Sequence, residues 1–170
     1  MNDDVTHFER LGLPRRFHLD AAVLERSYLA HSRLVHPDYV GDAPQALQAA
    51  AALNEAYATL RDPFRRAEYL LKLEGGPSAA DVKQMPAAFL EEMLDLRMRI
   101  EEVNGPDRGP MEKQLAERRH GLLEEAAKQF ERLEGLRPDA PERAGVLAAI
   151  RQTLNATKFV QGLLRDLREE

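Results

Sequence analysis

Apolar residues recur at every third or fourth position along most of the chain, which is the spacing of a helix that buries one face. No segment of four or more residues alternates cleanly between apolar and polar side chains, as a half-buried strand would. Ala, Leu, Glu and Arg are abundant, whereas Val, Ile and Thr, which favour strands, are sparse. The pattern predicts an all-α protein.

Four helices are predicted in the first half of the chain, and helix caps and helix breakers set their limits. They cover residues 5–11, 20–35, 44–60 and 62–73. Asp20 and Asp62-Pro63 are residues that begin helices, whereas Pro37 ends the second helix because its ring interrupts the backbone hydrogen bonds. The second and third helices should therefore form an antiparallel hairpin, with residues 36–44 as the exposed loop at its tip.

The buried face of this hairpin follows from two sets of residues at helical spacing. They are Leu24, Tyr28, His31 and Val35 on the second helix, and Ala46, Ala50, Leu53, Tyr57 and Leu60 on the third. His31 occupies a position where an apolar residue is expected. We therefore expect it to be a hydrogen-bonded core histidine rather than a ligand.

A Gly-Gly-Pro-Ser run at 75–78 is the best candidate for a linker between two domains. Three amphipathic helices follow it, at residues 86–103, 109–136 and 141–168. Because their connections are short, they should pack as a three-helix bundle. The predicted organisation is an N-terminal helical domain over 1–75, a linker over 76–85 and a C-terminal bundle over 86–170.

The composition narrows the class of protein. The 170 residues are 44% hydrophobic and 31% charged, as in a packed globular protein, and the formal net charge of −5 argues against a nucleic-acid binder with a large basic surface. No apolar run approaches the roughly 20 residues of a membrane span. The acidic start Met1-Asn2-Asp3-Asp4 lacks the features of a signal or transit peptide. We therefore expect a cytoplasmic protein that binds neither nucleic acid nor membranes.

The sequence gives little support for a catalytic or metal-binding site. The chain has no cysteine, which excludes disulfides, thiolate zinc sites and a catalytic thiol. The histidines show no ligand spacing such as i, i+4; they are His7, His18, His31, His36 and His120. A Gly-rich phosphate loop and a nucleophile elbow are also missing. We expect a protein that is not an enzyme and holds no metal or cofactor.

The most informative residues are the tripeptide His36-Pro37-Asp38, which follows an amphipathic helix and precedes a loop and a second, antiparallel helix. A J-domain carries its HPD signature at this place. The alternative interpretation is that Pro37 only ends a helix and that His36 and Asp38 are ordinary polar loop residues. The tripeptide alone does not choose between the two.

The residues around the tripeptide favour the first interpretation, because they resemble the HscB family of J-domain co-chaperones of iron–sulfur cluster assembly. The resemblance rests on Arg33-Leu34-Val35 before the tripeptide, on Leu53-Asn54-Glu55-Ala56-Tyr57-Ala58-Thr59-Leu60 with Asp62-Pro63, and on Arg66-Ala67-Glu68-Tyr69-Leu70-Leu71. It extends over essentially the whole chain, which lacks a Gly/Phe-rich stretch and a CxxC motif. It implies that residues 1–75 form a J-domain and that the bundle binds a scaffold protein.

The resemblance implies two partners: a DnaK-type chaperone of the HscA class, whose ATPase is stimulated, and an IscU-type iron–sulfur scaffold protein. His36, Pro37 and Asp38 are the implied chaperone contacts, and Asp38 offers a carboxylate for a charge-assisted pair with an arginine of the partner. Arg26 and Arg33 are seven residues apart, away from the apolar stripe, and form a candidate basic face. The alternative is that they are two solvated arginines. Tyr39, where many J-domains have lysine, favours one dedicated chaperone.

The scaffold contacts are expected on the first and last helices of the bundle. Phe89, Met93, Leu96, Ile100 and Val103 should face the core, and a second stripe of Leu90, Leu94 and Met98 lies beside them. The residues implied by the resemblance are Leu90, Leu94, Asp95 and Met98 on the first helix, and Lys158, Phe159 and Leu163 on the last. The alternative is that the additional apolar residues widen the core or pack against the J-like domain.

One alternative function shares this fold. A helical adaptor with a J-like domain that does not activate a chaperone would have the same composition and the same helices. An ATPase measurement with a chaperone from the same cell separates the two functions.

Overall fold

The computed structural model describes residues 5–35, 44–102 and 107–169. In these ranges the chain forms seven α-helices and no strand, so the all-α prediction is confirmed. The helices are α1 (His7–Arg10), α2 (Ala21–Leu34), α3 (Pro44–Arg61), α4 (Pro63–Leu73), α5 (Ala87–Glu102), α6 (Arg108–Glu134) and α7 (Arg143–Glu169).

Two aspartates begin helices as the sequence predicts. The Asp20 carboxylate accepts a hydrogen bond from the backbone N–H of Val23 at 2.9 Å, and α2 starts at the next residue after Asp20. Asp62 Oδ1 accepts from the backbone N–H of Arg65 at 2.8 Å, at the start of α4. The limits of α2 to α7 are therefore close to those expected from the sequence.

Helix α1 is shorter than the predicted 5–11, and its caps explain the difference. Thr6 and Glu9 form a reciprocal capping box, in which each side chain accepts from the backbone N–H of the other, so the helix begins at His7. Leu11 closes it, and Gly12 follows with φ +60°, a conformation that side chains larger than glycine rarely adopt.

The chain divides into two compact units, and the boundary lies between Leu70 and Leu71. The first unit contains α1, α2, α3 and most of α4. Its buried apolar residues are Phe8, Leu11, Phe17, Leu24, Ala46, Leu53, Ala56, Leu60, Ala67 and Leu70. The core of this unit therefore includes residues from both of the stripes predicted for the hairpin.

Two residues of α4 fix this helix within the first unit. The Tyr69 ring stacks on His7 with centroids 4.2 Å apart, and its hydroxyl accepts from the His7 backbone N–H at 2.9 Å. The Arg66 guanidinium lies 5.0 Å from the centre of the Phe17 ring and donates to the Leu60 carbonyl at 2.8 Å. The Arg66 side chain is buried, and this burial lowers its pKa.

The second unit is the three-helix bundle of α5, α6 and α7. Its core cluster includes Phe89 and Met93 of α5, Leu115 of α6 and Val160 of α7. Arg108, at the start of α6, donates from Nε and Nη2 to the carbonyl of Leu167 at 2.9 and 2.6 Å. This contact satisfies a carbonyl near the end of α7 that has no partner within its own helix.

The segment expected to be a linker, residues 76–85, falls within the second unit. Asn155 of α7 donates from Nδ2 to the carbonyls of Val82 and Gln84 at 2.8 and 2.9 Å. Its Oδ1 accepts from Nε of the buried Arg151 at 3.0 Å. The segment is therefore attached to α7 by side-chain contacts. The division into a domain over 1–75, a linker over 76–85 and a bundle over 86–170 stays a prediction.

Replacing Asn155 with alanine should loosen this segment. Two hydrogen bonds to backbone carbonyls disappear, at a cost of about 1–2 kcal/mol, so local opening should become roughly 5–30-fold more frequent. Trypsin cleavage after the exposed Lys83 measures the opening. Lys158→Ala, an exposed position of the same helix, is the matched control and should leave this rate unchanged. An equal rate in the wild type and in Asn155→Ala would contradict the attachment.

His7 should make the stability of the first unit dependent on pH. Burial, assisted by Arg10 and Arg65 and opposed by Glu55, lowers the pKa of His7 below its ordinary 6.5. Protonation of His7 is thus easier in the unfolded chain. This contribution to stability is complete above about pH 6.5 and is lost as the pH falls through the folded-state pKa.

The variant His7→Phe keeps an aromatic ring against Tyr69 and removes the titrating group. Chemical unfolding between about pH 7.5 and about pH 5 should therefore show the wild type losing more stability than the variant. A stability difference that stays constant over this range would contradict the role of His7.

Candidate partner-binding surfaces

The first candidate surface is the outer face of α2. Arg26 and Arg33 are both exposed there, whereas Leu24 on the opposite side of the helix is buried. The helix ends at Leu34, and the backbone N–H of Val35 donates to the Ser32 carbonyl at 3.3 Å. The tripeptide His36-Pro37-Asp38 follows directly in the sequence and lies outside the described residues.

One side-chain hydrogen bond ties α2 to Leu11, and a second lies within the helix. The Ser27 hydroxyl donates to the Leu11 carbonyl, and His31 Nδ1 lies 2.8 Å from the Ser27 carbonyl oxygen. Because a carbonyl oxygen only accepts, this nitrogen of His31 carries the proton. The half-buried His31 is thus hydrogen-bonded, as the sequence predicts for a histidine within the apolar stripe.

An aromatic pair joins α2 to α3. The Tyr28 and Tyr57 rings stack with centroids 4.2 Å apart, and the Tyr28 hydroxyl donates to Asn54 Oδ1 at 2.9 Å. The pair fixes the hairpin near the middle of α2. Arg26 and Arg33 are therefore presented on a helix that is tied to its neighbour.

Sequence reasoning missed apolar residues on the outer side of this hairpin. Leu29 and Leu34 of α2 and Leu47 of α3 are exposed, and Leu34 is the most exposed of the three. The signal was available, because all three fall outside the stripes that were assigned to the core. Exposed leucines beside Arg26 and Arg33 give the outer face of α2 a mixed apolar and basic character.

The second candidate surface is the outer stripe of α5, formed by Leu90, Leu94 and Met98. These side chains are 44%, 67% and 60% exposed, respectively. Phe89, Met93 and Leu96, which alternate with them along the helix, are almost completely buried in the bundle core. Helix α5 therefore has one apolar stripe inside the bundle and a second apolar stripe outside it.

Two pairs of oppositely charged residues lie next to the outer stripe. Asp95, one of the expected scaffold contacts, lies 4.0 Å from Arg99, and Arg97 lies 3.8 Å from Glu101. All four side chains are largely exposed, so each pair contributes little to stability. The charges of these four residues sum to zero over residues 95–101.

The three expected scaffold contacts on α7 differ in how exposed they are. Lys158 is exposed, whereas Phe159 is half-buried and meets the Phe89 ring edge-on with centroids 6.2 Å apart. Leu163 is only 8% exposed and belongs to the core cluster. Leu163 therefore does not lie on the exposed surface, where the sequence analysis placed it. Its side chain packs inside the bundle, on the side of α7 that faces the other helices.

The described residues give no support to another kind of site. Within residues 5–35, 44–102 and 107–169, no three His, Cys, Asp or Glu side chains are grouped as metal ligands. None of the helices in these ranges has the length and hydropathy needed to cross a bilayer. A shallow groove of about 450 Å³ between α6 and α7 contains Arg119, Arg165 and Arg168 in its lining. It gives no anion site, because Arg165 lies 3.4 Å from Asp166 and Arg168 lies 2.6 Å from Glu112.

The fold and the sequence place this chain in a known class. Residues 6–69 match the family model of the DnaJ domain, and this range coincides with the first compact unit. The chain is therefore a J-domain protein with a second helical unit. Among related proteins, it is 40% identical over 105 residues to the co-chaperone protein HscB homolog of Vibrio cholerae, and 44% identical over 106 residues to that of Burkholderia mallei.

These alignments span 61% of each relative's length and 58% and 59% of this chain. Solved structures extend the likeness to nearly the whole chain. The chaperone HscB from Vibrio cholerae has a TM-score of 0.73 at 29% identity, with 96% of both chains covered. The human co-chaperone protein HscB has the same fold, with a TM-score of 0.81 at 21% identity, covering 99% of this chain and 83% of the human one. The first unit is therefore a DnaJ domain, and the whole chain resembles HscB proteins in its fold.

Proposed function

We propose that this chain is a co-chaperone that stimulates the ATPase of a DnaK-type chaperone of the HscA class and delivers an IscU-type iron–sulfur scaffold protein to it. The observation that carries the proposal is the exposed outer stripe of α5, in a chain whose first unit is a J-domain. One unit would bind the chaperone and the other the scaffold. In this proposal the chain acts in the cytoplasm, holds no cofactor and is itself not an enzyme.

The chaperone-binding part of the proposal rests on the tripeptide and the outer face of α2. Asp38 would pair with an arginine of the chaperone's ATPase domain, and Pro37 would lower the cost of ordering the connection on binding. The exposed Arg26 and Arg33 would attract an acidic chaperone surface. Such surface charges mainly raise the association rate and make it sensitive to salt.

The scaffold-binding part rests on the outer stripe. Complete burial of a leucine or methionine side chain contributes roughly 1.5–3 kcal/mol, so Leu90, Leu94 and Met98 together would supply a substantial part of a binding free energy. Asp95 would contribute less, because it is exposed and already near Arg99. Lys158 and Phe159 of α7 would contribute charge and aromatic area, and Leu163 would act only by supporting the bundle.

Binding both partners on one chain explains how hydrolysis is coupled to delivery. Linking two binding sites raises the effective concentration of each partner for the other. ATP hydrolysis in the chaperone would then coincide with the presence of the scaffold. A helical adaptor without chaperone activation would bind the scaffold equally well but would leave the ATPase unchanged.

The first test is the steady-state ATPase of the HscA-class chaperone from the same cell. The wild-type chain should stimulate it, and Asp38→Ala should lose nearly all stimulation because the proposed carboxylate is removed. Asp139→Ala, which removes an exposed aspartate from the second unit, is the matched control and should stimulate normally. If the wild-type chain does not stimulate the chaperone's ATPase, the helical adaptor becomes the function that the data support.

The second test is a titration of the scaffold protein with the double variant Leu90→Ser, Leu94→Ser. Loss of both leucines should weaken scaffold binding at least roughly thirty-fold, which corresponds to about 2 kcal/mol of lost apolar burial. Stimulation of the chaperone in the absence of scaffold should be unchanged. Leu47→Ser replaces a leucine of the first unit whose exposure lies between those of Leu90 and Leu94, and this variant should keep full scaffold affinity. Unchanged affinity in the double variant would refute the docking surface.

A further inference from the structure

The methionines of this chain differ strongly in exposure. The chain has five methionines and no cysteine, so methionine is its only sulfur-containing residue. In the described residues, Met93 and Met111 are 3% and 4% exposed and Met85 packs half-buried against the core. Met98 is 60% exposed. An oxidant in solution would therefore reach the sulfur of Met98 much more readily than that of Met93 or Met111.

Met98 is also one of the three residues of the outer stripe. It follows Leu94 at i+4, the spacing at which helical side chains are neighbours. Two nearby ion pairs, Asp95 with Arg99 and Arg97 with Glu101, cancel each other's charge. Met98 itself contributes apolar area to this surface, and a change in its polarity alters that area. Oxidation there converts a flexible apolar side chain into a polar one.

We propose that Met98 is a reversible oxidation switch for scaffold binding, an inference that rests on the proposed function. Hydrogen peroxide transfers one oxygen atom to the Met98 thioether. The O–O bond breaks, a sulfur–oxygen bond forms, the sulfur loses two electrons, and the remaining peroxide oxygen leaves as water. The product is methionine sulfoxide, which methionine sulfoxide reductases return to methionine.

The sulfoxide weakens docking because its oxygen is a strong hydrogen-bond acceptor that is hydrated on the free surface. Burial against an apolar partner removes this hydration without replacing it. The expected loss of scaffold affinity is roughly ten-fold or more. The bundle itself should stay folded, because the buried Met93 and Met111 are protected by the core.

The experiment treats the full chain with limiting hydrogen peroxide, locates the added oxygen by mass spectrometry of peptides, and titrates the IscU-type scaffold before and after treatment. Met98→Leu is the matched variant, since it keeps a similar apolar volume without the sulfur. The treated wild type should carry its first oxygen on Met98 and bind at least roughly ten-fold more weakly. Treated Met98→Leu should bind like the untreated protein. Incubation with both epimer-specific reductases should restore the wild-type affinity.

Three results would overturn the inference. They are preferential oxidation of Met85, Met93 or Met111, unchanged scaffold affinity of the oxidised wild type, or an equal loss of scaffold affinity in treated Met98→Leu. Each of these is compatible with tight binding by the reduced protein, and so leaves the proposed function standing. Absence of binding by the reduced wild type would instead overturn the proposed function and the switch together.

Discussion

The second unit depends on how much of a helix surface its neighbours can bury. A helix packed on one side commonly buries an apolar face somewhat wider than 100°. Helix α5 has apolar side chains over a wider arc, and the bundle covers the part that contains Phe89, Met93 and Leu96. The outer stripe remains on the surface because no described neighbour within this unit covers it. The candidate scaffold surface therefore exists because the apolar arc of α5 is wider than the part that the bundle buries.

Apolar spacing and capping residues together predict the seven helices, because the longer helices have an apolar period near 3.6 and residues such as Asp20, Asp62 and Pro63 mark helix starts. Asp20 caps α2 through a hydrogen bond to Val23, as its position before an apolar stripe indicates. The length of α1 was mispredicted for a related reason. A reciprocal box between Thr6 and Glu9 moved its start, and this signal was present in the sequence as Thr-x-x-Glu.

Contacts between distant residues were not predictable in the same way. Nothing in the identity of Asn155 indicates that its amide donates to the carbonyls of Val82 and Gln84, which are 73 and 71 residues away. The Gly-Gly-Pro-Ser run correctly indicated irregular backbone, but irregular backbone can be attached as well as free. The burial of Leu163 was missed similarly, because two apolar stripes on one helix do not reveal which of them meets the other helices.

The position of Leu163 changes how the expected scaffold contacts on α7 should be understood. A single exposed leucine is common on protein surfaces, but two leucines and a methionine at helical spacing form a patch that favours a partner. That patch comes from α5 alone. On α7, Phe159 contacts Phe89 from the side, and Leu163 lies in the core cluster with Met93 and Leu96. Substitutions at Phe159 or Leu163 would therefore disturb the packing that holds α5 in place, whereas substitutions at Leu90 or Leu94 remove only surface that a partner would cover. Substitutions at Phe159 or Leu163 that weaken scaffold binding should therefore also destabilise the bundle. Substitutions in the outer stripe should weaken scaffold binding without this loss of stability.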